Sequence, residues 1–165
     1  MDIPAKYSVL FICAANICRS PMAMGLMRLQ IKNTTEEWSI HSAGIWSDNR
    51  YPAAVNTQIV LGEYGMDIST HRSTLVSRDL LNEYALVLVM EANQKEILRL
   101  SFPEFASRIF LLSEMVDENF DIVDPVGGSL NDFRYTASVI EELLVNGFER
   151  LKELAEEEPS HGIQE

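Results

Sequence analysis

The chain has 165 residues, enough to bury a sizeable core in one domain without disulfide staples. Apolar residues make up 47%, ordinary for a soluble globular protein, and no apolar run approaches the ~20 residues that span a bilayer. The net charge of −12, from 25 acidic and 13 basic residues, argues against nucleic acid and anionic membrane surfaces as partners; any anion site has to be built locally, against the global field.

The first element is a short continuous apolar run, Val9 to Ile12, as expected of a strand covered on both faces. It runs into Cys13-Ala14-Ala15-Asn16-Ile17-Cys18-Arg19-Ser20-Pro21, a tight loop followed by a helix start, with Ser20 as the expected cap and Pro21 in the first helical position. A helix is expected from Pro21 to about Ile31, with Met22, Leu26 and Leu29 on one face, broken by Asn33-Thr34-Thr35. Trp38, Ile40 and Ser42 alternate with polar neighbours, which fits a short edge strand ended by Ala43-Gly44. Ile45 to Pro52 is an irregular loop holding Trp46, Asp48 and Tyr51. A helix over Ala53 to Tyr64, with Val55 and Ile59 inward, is stopped by Gly65. Asp67 to Ser73 is a loop, and Ser77 caps a short helix through Leu81.

Ala85 to Met90 is a second continuous apolar run and is expected to be a central strand. Asn93 to Leu100 is a helix with Pro103 just past it, and Ile109 to Leu112 is a third apolar strand. Ser113 to Val123 is weakly patterned, and Asp124-Pro125-Val126-Gly127-Gly128-Ser129 is a loop. A long helix starting at Asn131 or Asp132 carries Phe133, Ala137, Ile140, Leu144, Phe148 and Leu151 on one stripe, and Glu153 to Glu165 is an acidic tail expected to fray. Strands alternating with helices predict a three-layer α/β/α sandwich with a small, mainly four-stranded parallel sheet in one domain over residues 1–165. In such folds ligands bind beyond the carboxyl ends of the strands, where the Cys13 loop lies.

Several residue types in that loop point to anion chemistry. A helix start presents unpaired N–H groups and the positive end of the helix dipole, which together favour an anion. The same field favours a thiolate over a thiol at Cys13. Arg19 adds a planar fork able to hold two phosphate oxygens, and Asn16 tolerates the left-handed backbone that a curled loop needs. The loop lacks the Gly-Lys-Ser/Thr of a Walker A sequence. Cys13 and Cys18 are the only cysteines, which excludes a disulfide framework and a four-thiolate zinc site, and their spacing is not that of a C-x-x-C redox pair. Met1 to Lys6 lacks the charged-then-apolar pattern of a signal peptide, so a cytoplasmic location is expected.

Cys-x5-Arg-Ser-Pro, together with Ser42-Ala43-Gly44, Asp67-Ile68-Ser69-Thr70-His71-Arg72-Ser73, the Ala85 to Met90 run and the late Asp124-Pro125, resembles the low-molecular-weight protein tyrosine phosphatase family, in that family's order and along most of the chain. The resemblance implies a phosphorylated protein as substrate, no cofactor and no metal. It implies Cys13 as nucleophile, Arg19 and the amides of Ala14, Ala15, Asn16, Ile17 and Cys18 around the phosphoryl oxygens, and Asp124 as the acid and base. It implies that Asn16, Ser20, Ser42 and His71 hydrogen-bond beneath the loop and fix its shape, with Ser20 stabilising the thiolate further. Trp46 and Tyr51 would form one wall of the substrate cleft and Val126 the other; family members often carry an aromatic at the latter position, so that wall is smaller here. Ala14-Ala15 also departs from a frequent glycine before Asn16. Cys18 is either packing or a partner that traps oxidised Cys13 as a disulfide. A monomer is expected.

Two branches compete for the substrate. The Asp124 to Ser129 segment is closer to bacterial protein arginine phosphatases, whereas Ile17, where that branch has threonine, resembles the tyrosine-directed enzymes and favours phosphotyrosine. Thioredoxin-coupled arsenate reductases share the loop but need relay cysteines beyond Cys18, and a non-catalytic phosphate-binding module would not need both Cys13 and Asp124.

Overall fold

A computed structural model describes residues 5–47 and 50–158. Asp48 and the end of the acidic tail beyond residue 158 lie outside the described residues. Four parallel strands form one sheet: β1 (Tyr7–Cys13), β2 (Trp38–Gly44), β3 (Leu86–Val89) and β4 (Ile109–Leu111), in the order β2-β1-β3-β4. The helices are α1 (Arg19–Gln30), α2 (Val55–Glu63), α3 (Arg78–Asn82), α4 (Ala92–Ser101), α5 (Leu130–Asn146) and α6 (Phe148–Ala155), with 3₁₀ turns at Pro103–Arg108 and Leu112–Val116.

The pleat of β1 sorts its side chains into the two outer layers. Val9, Phe11 and Cys13 face a core shared with α1, α2, α5 and α6, while Leu10 and Ile12 face one shared with α3 and α4. Both faces are dry, which is why β1 and β3 read as unbroken apolar runs. The three-layer sandwich and the edge position of β2 match expectation. The direction of strand addition reverses at β1, so the crevice at its carboxyl end is the topological switch point, and Cys13 is its last residue.

Four local expectations need correction. Helix α1 begins at Arg19, so Ser20 and Pro21 lie within its first turn and Ser20 is no cap; its hydroxyl is engaged with the loop instead. In α2 the buried residues are Thr57, Val60 and Leu61, whereas Val55 and Ile59 are exposed; the helix packs along α1 and α5 on its other stripe. The single long C-terminal helix is two, because Gly147 brings the chain against Met115: a Cβ there would lie 2.6 Å from the Met115 Cβ. The tail is ordered through 158: Ala155 is buried, Glu156 bridges Tyr7, and the Glu157 N–H donates to the Lys6 carbonyl at 2.8 Å. An aromatic stack of Tyr7, Trp38 and Phe148 holds this end against the sheet.

Candidate active site

The loop from Cys13 to Arg19 is fixed from three sides. Asn16 adopts φ +59, the left-handed conformation its side chain tolerates. Its Nδ2 donates to Ser20 Oγ at 2.8 Å, and its Oδ1 accepts from the Thr74 N–H at 2.9 Å. The His71 Nε2–H donates to the Asn16 carbonyl at 2.9 Å, which fixes that tautomer. From the β2 side, the Ile45 and Trp46 N–H groups donate to the carbonyls of Cys13 and Ala14. With the carbonyls so occupied, the N–H groups of Ala14, Ala15, Asn16, Ile17 and Cys18 donate to no acceptor among the described residues. Consecutive unpaired N–H groups beside a helix start form an anion cradle.

Cys13 Sγ lies 3.0 Å from Ser20 Oγ, at the base of this cradle. Ser20 Oγ also lies 3.3 Å from the Ala43 carbonyl, so its proton has two acceptors, and a thiolate is the stronger. Arg19 is buried to 1% exposure. Its NH1 donates to Glu91 Oε1 and to the Ile122 carbonyl, both at 2.6 Å, and its NH2 reaches Asp124 Oδ2 at 3.3 Å. Its Nε–H is buried and has no partner among the described residues. One edge of the guanidinium is therefore anchored, and the Nε/NH2 edge, which matches a pair of phosphate oxygens, is held only by a long contact to Asp124.

The family model for low molecular weight phosphotyrosine protein phosphatase matches residues 8–158. The chain belongs to this family. Low molecular weight phosphatases are cysteine-dependent phosphatases, and so is this enzyme. It is 36% identical over 134 residues to the probable low molecular weight protein-tyrosine-phosphatase EpsP of Ralstonia nicotianae, covering 81% of this chain and 88% of that one. It is 31% identical over 147 residues to a protein-arginine-phosphatase of Geobacillus stearothermophilus, covering 88% and 97%. The low molecular weight protein tyrosine phosphatase structure from T. tengcongensis superposes with a TM-score of 0.83 at 36% identity, covering 87% of this chain and 99% of that one.

Within this low molecular weight phosphatase, the loop gathers Cys13, Asn16, Arg19, Ser20, His71 and Asp124 as the sequence pattern anticipates. Ser42 is the exception. Its hydroxyl turns to Met24 Sδ at 3.5 Å and makes no hydrogen bond to the loop, because this position of β2 faces α1. Cys18 is buried, and burial pushes its thiol up to about 12, so it stays neutral at ordinary pH and is unsuited to act as the nucleophile. Trp46, Tyr51 and Val126 expose large apolar side chains to solvent, at 61%, 59% and 61%. Asp124 Oδ1 accepts from the Val126 N–H at 3.1 Å, which sets the start of its loop.

Three contributors are invisible in the sequence pattern. Glu91 anchors Arg19 from the N-cap of α4, where Gln94 Oε1 accepts from the Met90 and Glu91 N–H groups and fixes the turn. Thr74 supports Asn16 through its backbone alone. Gly44 lets β2 approach the loop: a Cβ there would sit 2.9 Å from the Ala14 carbonyl oxygen and from the Ala15 carbonyl carbon.

Proposed function

We propose that this phosphatase hydrolyses phosphotyrosine in proteins through a phosphocysteine intermediate, with Cys13 as nucleophile, Arg19 and the loop amides as phosphoryl ligands, and Asp124 as acid and base. The observation that carries the reading is the meeting, at the end of β1, of the Cys13 thiol, five unpaired N–H groups and a buried arginine whose open edge borders Asp124.

In the first step the Cys13 thiolate attacks phosphorus, the bond to the phenolic oxygen breaks, and Asp124 gives that oxygen its proton. The transition state is loose and its charge sits on the three equatorial oxygens, so the catalytic work is positioning and electrostatics. The amides from Ala14 to Arg19 and the Nε/NH2 edge of Arg19 supply it. Phosphoryl oxygens compete with Asp124 for NH2; winning that competition frees Asp124 to carry its proton. In the second step Asp124 accepts a proton from water, the oxygen attacks phosphorus, and the S–P bond breaks to regenerate the thiolate and release phosphate. Ser20 stabilises the thiolate in both steps, with Asn16 and His71 holding the loop.

Exposed Trp46, Tyr51 and Val126 supply apolar walls for an aromatic leaving group. Ile17 is half-buried and packs against the core, offering no acceptor to the N–H groups of a phosphorylated guanidinium. Against this stands the 31% identity to an arginine phosphatase. Two free cysteines favour a reducing compartment, consistent with a cytoplasmic enzyme, and every residue of the site comes from one chain, so a monomer suffices.

A side-by-side assay on phosphotyrosine and phosphoarginine peptides tests the substrate. The wild type is expected to prefer phosphotyrosine in kcat/KM, and Ile17→Thr to shift the ratio towards phosphoarginine. A wild type that prefers phosphoarginine, or an Ile17→Thr ratio that does not move, overturns the assignment.

A further inference from the structure

Outside the β2 edge lies a second concentration of positive charge. A pocket of about 380 Å³ between the last turns of α1, β2 and the Asp67 to Thr74 loop is lined by Arg28, His41, Arg50, His71 and Arg72, with Asp67 as the one acid among them. In a chain of net charge −12 this gathers three of the 13 Lys and Arg residues and two of the three histidines. Arg28 donates to the Ile40 carbonyl at 2.7 Å and Arg72 to the His71 carbonyl at 2.7 Å, but among the described residues neither has a carboxylate within 4.0 Å. Asp67 is committed to the Ser69 N–H at 2.7 Å.

We propose that this pocket is a second anion site, separate from the Cys13 loop, which takes a small multiply charged phosphate compound of the pyrophosphate class. Like charges packed without counterions are unfavourable, and an anion relieves them together. The mutual repulsion is visible in the histidines: after burial, the Arg28 guanidinium is the next influence that lowers His41, and Arg28 and Arg72 both act to lower His71. Glu83 pulls His41 the other way, too weakly to offset them.

The pocket shares a wall with the catalytic loop. His71 lines it and also donates to the Asn16 carbonyl, and Thr74 lines it and donates to Asn16 Oδ1. An anion held there bears on the conformation of the loop through two hydrogen bonds, without entering the loop. This gives the enzyme a means of sensing a phosphate metabolite at a point remote from its substrate.

The test does not depend on turnover, so it can fail without touching the phosphatase assignment. The imidazole resonance of His41 is followed by NMR while pyrophosphate is added to protein whose catalytic loop is already filled with orthovanadate. Expected is a saturable shift and a raised His41 pKa, since an anion beside Arg28, Arg50, Arg72 and His71 favours the imidazolium, in the same direction as Glu83 and Asp67 and against the guanidinium groups. Arg28→Gln and Arg72→Gln, both at exposed positions, should each weaken pyrophosphate about tenfold while leaving a folded protein with unchanged vanadate affinity. A His41 resonance that ignores pyrophosphate under these conditions, or an affinity that neither variant changes, overturns the proposal.

Discussion

Cys13 and Asn16 announce themselves by type: a thiol at a strand end and a residue that accepts φ > 0 have few other uses side by side. Glu91 does not, because it sits among ordinary strand-to-helix residues, and only the burial of Arg19 makes its carboxylate necessary. Ser42 shows the reverse error: a polar residue on β2 is adjacent to the loop in register, opposite Phe11, yet the pleat turns its hydroxyl towards Met24. Gly44 was legible as a strand end but not as a contact, since close approach of two backbones leaves no trace in composition. Gly44→Ala should push a methyl group into the Ala14-Ala15 backbone and misplace the cradle. A displacement on that scale lowers kcat/KM by about a hundredfold. Steady-state kinetics on a phosphotyrosine peptide check this, with unchanged activity as the contrary result.

At the scale of elements, strands were legible and helix faces less so. β1 and β3 are covered on both sides, and composition alone identifies such strands. Val55 and Ile59 misled because α2 is short and packs on Thr57, Val60 and Leu61, so propensity to be inside lost to the geometry of α1 and α5. The acidic C-terminal stretch misled because its charges mask one buried position, Ala155, which together with Leu151 of the expected apolar stripe seats α6 on the sheet. Leu151→Ala removes a side chain with no exposed surface, and such truncations destabilise by about 2–5 kcal/mol. Chemical denaturation should show that loss; a frayed α6 would instead show almost none.

For the whole molecule, the order β2-β1-β3-β4 places the switch point at β1, and every functional side chain then arrives from loops at one end of the sheet. Asp124 reaches the loop from 105 positions away in sequence, through its contact with Arg19. The same construction has a pH consequence. Burial lowers His71, helped by Arg28 and Arg72, although its bond to the Asn16 carbonyl opposes this. Above the usual imidazole value of 6.5 both folded and unfolded chains hold it neutral, and its contribution to stability is complete. As pH falls below 6.5 the unfolded chain protonates first, and that contribution is lost down through the lowered folded value. The thermal midpoint should therefore fall between pH 7 and pH 5, and His71→Gln should flatten the slope; an unchanged slope in the variant would assign the loss to other groups.

The most direct test of the chemistry is rapid-quench kinetics with p-nitrophenyl phosphate. Expected is a burst of phenol stoichiometric with enzyme, absent in Cys13→Ser, and slowed about 10²–10⁴-fold in Asp124→Ala, which should still bind phosphate. Undiminished turnover in Cys13→Ser would contradict Cys13 as the nucleophile and the phosphocysteine with it.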